Sequence, residues 1–279
     1  MKSNKVIIYA LIAIACIVII GLSAYFIYFH PASGKRPSSV NEDGEPISEE
    51  VRYDNLKDAF NKSFNNQVRR INNELNNINE RLDITKDIVY TIYNIEVYAE
   101  NKYDINVNIP YLNIDSELAQ QINTEIDNTF GVKVNDVIQS KEELSTYNID
   151  YVAYVNGDII SLVIKATLKE KDFPQRVIMK TYNYNVANNS LLTFDSLVSL
   201  KKLNKSEIQN RINKTIETII KENEALAQIG YNMFKRNLND QIYLISSIDS
   251  FCIDQNENVY ILFPYGNGNF TSEVDLIIL

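Results

Sequence analysis

The stretch YNIDYVAYVNGDIISLVIKATL, residues 147–168, decides the fold class. Tyr147, Ile149, Tyr151, Ala153 and Val155 alternate with mostly polar residues, the period of a strand with one buried face. Asn156-Gly157 follows, a strong hairpin signal, because a type I′ turn needs two positive φ values. Ile160, Leu162, Ile164, Ala166 and Leu168 supply the returning strand.

The same period extends outward. Residues 177–186 read as a third strand, and Asn188-Asn189 as its turn, since Asn tolerates the left-handed region. Upstream, residues 88–99 and 103–110 are rich in Ile, Val and Tyr and read as two strands. Between them and the hairpin, Asp115 is expected to cap a helix with Leu118, Ile122, Ile126 and Phe130 along one stripe. Downstream, Ile208, Ile212, Ile216, Ile219 and Ile220 mark a helical region over about 205–240, broken or kinked at Gly230. Strands at 247–253, 259–263 and 272–279 close the chain. Strands joined by hairpins with interspersed helices predict an α+β module over 88–279, with a largely antiparallel sheet and packed helices. Its first part covers about 88–170 and its second 171–279.

The 87 residues before it divide four ways. Residues 6–29 carry no charge, and at ~1.5 Å rise each they span a ~30 Å hydrocarbon core. We read them as a retained transmembrane anchor. A cleaved signal peptide is the rival, with Gly21-Leu22-Ser23 as its small residues, but Ala24–Phe29 continue the apolar run. Ala13-Ile14-Ala15-Cys16 faintly resembles a lipoprotein box. Lys2 and Lys5 precede the span and no acid does, so the positive-inside rule puts residues 1–5 in the cytoplasm and the C-terminal domain outside the cell. Residues 30–50, rich in Pro, Ser, Gly and acids, read as a flexible linker. Residues 51–87 read as an amphipathic helix or stalk: over 51–83, Phe64, Val68, Ile71, Leu75, Ile78 and Leu82 form a short heptad seam that Leu56 and Phe60 extend. That seam either packs on the chain's own module or joins two copies into a homodimer.

Composition excludes several functions. The formal net charge is −9, and 25 basic against 36 acidic residues lie after the span, which argues against nucleic acid as a partner. His30 is the only histidine, so a constellation needing two cannot form. Cys16 and Cys252 are the only cysteines. Cys252, between Phe251 and Ile253, reads as a core thiol without a base to activate it. There is no G-x-S-x-G elbow, Walker loop or H-E-x-x-H. Asp254-Gln255-Asn256-Glu257-Asn258 begins like a calcium loop, but positions six and twelve hold Val259 and Tyr265, so a polar β-turn is expected. The acids at 42–50 read as a solvated run. The residues nominate no catalytic, cofactor-binding or metal site, no cofactor, and no identified ligand-binding residue. Paired carboxylates of a glycan hydrolase remain an alternative.

A family resemblance adds to this. Ile105-Asn106-Val107-Asn108-Ile109-Pro110 followed by Gln121-Ile122-Asn123 is similar to the strand, loop and Ile-Asn helix that open a two-part bacterial extracytoplasmic module. Thr181–Val186 with Leu192-Thr193-Phe194, then Val259-Tyr260-Ile261-Leu262-Phe263-Pro264-Tyr265, resemble the hairpins of its second part. The module occurs in RsiV-type anti-sigma factors and PdaC-type peptidoglycan deacetylases. Asn189 stands in place of the usual turn glycine, and the loop 266–270 is shorter and lacks a second Pro-Tyr. The resemblance implies the module alone, without sigma-binding or catalytic domains. It implies a non-catalytic binding or sensing role on the cell membrane, contacting wall glycan or a cationic secreted protein such as lysozyme. A structural subunit of a membrane complex is the other alternative.

Overall fold

A computed structural model of the chain describes residues 48–64, 81–139, 145–265 and 273–279. The tail 1–5, the anchor 6–29 and the linker up to residue 47 lie outside the described residues. So do Val68, Ile71, Leu75 and Ile78 of the seam, and the loop 266–270. No helix among the described residues is long and apolar enough to cross a membrane.

Helix α1 (Glu49–Lys62) comes first. Strands β1 (Val89–Ala99), β2 (Tyr103–Leu112), β3 (Ser145–Asn156), β4 (Ile159–Glu170), β5 (Arg176–Asn185) and β6 (Ser190–Leu191) form one sheet in chain order. All neighbours are antiparallel except β2 and β3, which run parallel over Tyr103–Val107 and Ser145–Ile149. A parallel pair needs a long crossover, and α2 (Glu117–Ile126), a π-helical turn (Asp127–Gly131) and α3 (Val132–Gln139) provide it. A second antiparallel sheet holds β7 (Phe251–Ile253), β8 (Val259–Tyr265) and β9 (Glu273–Ile278). Between the sheets in sequence lie α4 (Phe194–Leu200) and α5 (Lys205–Gln228). The fold is thus mixed α+β with mainly antiparallel sheets.

The alternation read in 147–168 sorts the side chains. Tyr147, Ile149, Tyr151, Ala153 and Val155 of β3 and Ile160, Leu162, Ile164 and Ala166 of β4 face a core shared with Ile122, Ile126 and Phe130 of the crossover. Two Tyr hydroxyls of β3 that enter it find partners: Tyr151 meets Thr91 Oγ1 at 3.0 Å, and Tyr147 donates to Phe130 O at 3.3 Å. The opposite face of the same strands is also buried. Val152, Tyr154 and Val163 pack on Tyr260 and Leu262 of β8 and on Leu56, Phe60 and Phe64. The alternate residues of β8, Val259, Ile261 and Phe263, face Ile208, Ile212 and Ile216 of α5. The second sheet therefore has apolar partners on both faces.

Where the two sheets meet, polar side chains take the place of a ladder. Ser161 Oγ accepts from Ile253 N at 3.1 Å and donates to Asn183 Oδ1 at 2.6 Å. Asn183 Nδ2 donates to Phe251 O at 2.7 Å, and Thr181 Oγ1 accepts from Phe251 N at 3.2 Å. The edge of β7 would otherwise bury unpaired backbone groups.

Several expectations need correction. The hairpin loop is Gly157-Asp158, because Asn156 pairs with Ile159. Only Gly157 has a positive φ (55°), the demand of a turn with Gly first rather than of type I′. The cap of α2 is Ser116, not Asp115: its extended backbone (φ −149°, ψ 150°) lets Oγ accept from Ala119 N at 3.0 Å. The helix expected over 205–240 ends at Gln228. Gly230 (φ 97°) closes it, donating to Ala227 O at 3.1 Å while Tyr231 N donates to Leu226 O at 3.2 Å. That pair of bonds is a Schellman motif, which only a left-handed residue permits. Nor is 51–83 one described helix: α1 stops at Lys62, and Arg81–Asp83 are not helical. There, buried Asn113 donates to Asp83 O at 2.8 Å and Asp87 O at 3.1 Å and accepts from Asp83 N at 3.0 Å, holding a turn before β1.

Candidate functional site

Strand β5 has one finished edge and one open edge. Along Arg176–Asn185, β4 covers one side, from Leu168↔Arg176 to Ile159↔Asn185. On the other side β6 pairs only with Tyr184 and Asn185. The chain then leaves because Thr193 starts α4: its Oγ1 accepts from Ser196 N at 3.1 Å. Among the described residues no strand pairs with the outer edge of β5 before Asn183.

A groove of about 720 Å³ follows this edge. Val177, Met179 and Thr181 of β5 line it together with Phe251, Leu262, Pro264 and Val274. Lys180 and Glu125 form an ion pair at the rim. Tyr182 also lines the groove; it is 5 % exposed, and its hydroxyl has no partner meeting hydrogen-bond geometry. Burial, and then the nearby Glu125 carboxylate, push the Tyr182 phenol well above its usual range.

The features weighed in the sequence fall elsewhere. Asp254 is buried, and its own turn occupies both carboxylate oxygens. Oδ1 accepts from Asn256 N (2.8 Å) and Asn258 N (2.9 Å), and Oδ2 accepts from Asn258 Nδ2 (2.8 Å) and Tyr260 Oη (2.9 Å). That is the expected polar β-turn, with Glu257 in the left-handed region (φ 65°). No group of three or more potential metal ligands occurs among the described residues. Cys252 is a fully buried free thiol, pushed well above its usual pKa by burial and then by Asp254. Tyr147, Tyr151, Tyr184 and Tyr260 are buried sheet residues away from the groove. Of the seam, Phe64 is buried within the module together with Leu56 and Phe60, whereas Leu82 is half exposed outside any helix. Residues that sequence reasoning missed are Arg236 and Asp275, a bidentate ion pair whose side chains are 4 % and 3 % exposed.

No family model matches the chain, and no curated protein matches its sequence. Among solved structures it is similar to two DUF3298 family proteins. One, from Pseudomonas aeruginosa, is 9% identical, with 65% of this chain and 84% of that chain covered and a TM-score of 0.36. The other, from Bacteroides fragilis, is 13% identical, with 63% and 81% covered and a TM-score of 0.33.

The buried tyrosines set an alkaline limit. Burial pushes Tyr53 and Tyr147 up to about 12 from a usual value of 10. A phenol raised in the folded state keeps its proton where the unfolded chain loses it. This stability is fully present below about pH 10 and is lost as pH rises through about 12. Tyrosinate absorbance is therefore expected to rise in a step that coincides with loss of the circular dichroism of the fold. Complete ionisation of all tyrosines with the dichroism intact would contradict the burial described.

Proposed function

We propose that the chain is a membrane-anchored, non-catalytic binding or sensing module facing the outside of the cell. It contacts a cell-wall component or a secreted protein such as lysozyme through the β5 groove. The observation that supports this is the open edge: both faces of the β3–β4 hairpin and of the small sheet are packed, yet seven residues of β5 lie beside a groove and meet no further strand among the described residues. The uncharged span 6–29 with Lys2 and Lys5 before it supports the anchor and its orientation. The 25 basic and 36 acidic residues that follow favour a cationic protein over an anionic polymer. A homodimer through 51–83 would have to use Val68, Ile71, Leu75 and Ile78, because Leu56, Phe60 and Phe64 are spent on the core.

Protease added to intact cells is expected to digest the chain beyond the span and leave its N-terminus protected. A mature secreted species beginning near Ala24 would defeat the anchor. Full chain presented to c-type lysozyme at two salt concentrations is expected to bind more weakly at the higher one, mainly through a slower on-rate. No binding at low salt would remove lysozyme as a partner.

A further inference from the structure

We infer that the β5 groove takes an extended polypeptide as an added strand, apolar on one face and hydroxyl-bearing on the other. This rests on the binding reading above and names the chemistry of its partner.

One bond of the β5–β6 ladder fixes which backbone groups face outward. Leu192 N donates to Asn183 O at 2.7 Å, so the carbonyl of Asn183 points to the outer edge. In a strand the N–H and C=O of alternate residues point to the same side. Thr181, Met179 and Val177 therefore also present their backbone groups outward, while those of Tyr182, Lys180 and Ile178 face β4. Beyond Leu192 no described strand meets them. The row continues the line of β6, which stops after two residues. Three donors and three acceptors at strand spacing are a template for a further strand.

The side chains around the row say what kind of strand fits. On one face stand Met179, Leu262, Pro264 and Val274, which match apolar side chains. On the other, the Tyr182 hydroxyl is buried beside the Glu125 carboxylate, with no bond of full hydrogen-bond geometry. An unpaired buried hydroxyl is costly to leave, and a threonine or serine hydroxyl from an added strand would pair it. The closed Lys180–Glu125 pair asks for no charge from the ligand. A glycan offers neither the repeating N–H and C=O of a strand nor the two-residue alternation of its side chains.

The test uses the full chain and a synthetic peptide of alternating Val and Thr, seven to nine residues long, on the order of the open edge. In the free protein, amide hydrogen exchange should alternate along β5: fast at Val177, Met179 and Thr181, slow at Ile178 and Lys180. Saturating peptide should slow the first three by more than about tenfold. Two N-methylated versions then separate strand addition from side-chain contact. Methylating the amides of every other residue in one phase removes the donors to β5 and should abolish protection. Methylating the other phase points the methyls away and should leave it. Equal effects from both phases, or no protection of the three amides by the unmethylated peptide, would overturn strand addition. Intact peptidoglycan and lysozyme are run alongside. If either binds without protecting β5, only strand addition fails; if neither binds and the peptide also fails, the binding reading falls with it.

Discussion

Asp275→Ala is expected to cost about 3–5 kcal/mol of stability, the range for breaking a buried ion pair by removing one partner. Arg236 reaches Asp275 with two parallel bonds, Nε to Oδ2 and Nη2 to Oδ1, each 2.8 Å. Tyr243 Oη donates to the same Oδ2 at 2.9 Å. Truncation therefore strands a guanidinium and a phenol together in a site that excludes water. The guanidinium keeps its contact with Tyr265, stacked 3.8 Å from the ring centroid, and a weak bond to Phe234 O, but loses its counter-charge. The charge itself is the liability: the double variant Arg236→Met/Asp275→Leu is expected to recover most of the loss, because desolvating two ions nearly offsets their attraction. Urea unfolding of the three chains measures this. A loss below about 1 kcal/mol for Asp275→Ala would mean that the pair is solvated. Hydrogen exchange should also show residues 231–240 opening first in Asp275→Ala, since Arg236 joins that irregular segment to β9.

The reasons why some of this was legible in the sequence and some was not are physical. Residues 147–168 announce their strands because the pleat imposes a period of two, and the structure keeps that register over twelve pairs. Helix stripes were legible for the same reason: Ile208, Ile212 and Ile216 are all buried. The turn at Gly157 lies one residue later than its Asn-Gly signal suggests, because Asn-Gly and Gly-Asp share a glycine and only pairing decides which two residues lie outside the ladder. The parallel β2–β3 pair carries no local sign, since periodicity reports which face is buried and not the direction of the neighbour. Arg236 and Asp275 lie 39 residues apart, Arg236 in a polar stretch without a period, so nothing local marks their meeting. The open edge of β5 was hidden for a further reason. It exists because β6 is cut short by the Thr193 cap, and a chain exit has no signature in the strand it abandons. The Thr193 cap does carry a local signal, since a Thr before an apolar run is a helix start, and that start ends the hairpin after two residues of β6.

Phe60→Ala is expected to destabilise the module by about 3–5 kcal/mol, as for other buried phenylalanines, and to unmask a thiol. Phe60 is 3 % exposed, stacks on Tyr260 at 5.0 Å between centroids and meets Phe64 edge-on at 5.4 Å. Leu56 lies one turn earlier on the same face, and Tyr53 donates to the carbonyl of Leu276 on β9. The residues from Tyr53 to Phe64, on α1 and just after it, thus cover the second sheet at the level of Cys252, which belongs to the same cluster and is wholly buried. A thiol reagent can reach it only when this cover lifts or the fold opens. Burial also keeps the thiol protonated, so reaction in the closed state is suppressed twice over. In a Cys16→Ser background, Cys252 labelling in Phe60→Ala should accelerate by about two to three and a half orders of magnitude, because each ~1.4 kcal/mol taken from the closed state raises the open population tenfold. The dependence on urea separates two routes. Weak dependence means that α1 lifts from the sheet alone, and steep dependence means that the thiol is reached only through global unfolding. Phe60→Leu, which refills most of the volume, should fall between Phe60→Ala and the parent chain. A labelling rate equal in all three would contradict the packing of Phe60 over Tyr260 and return the helix to solvent.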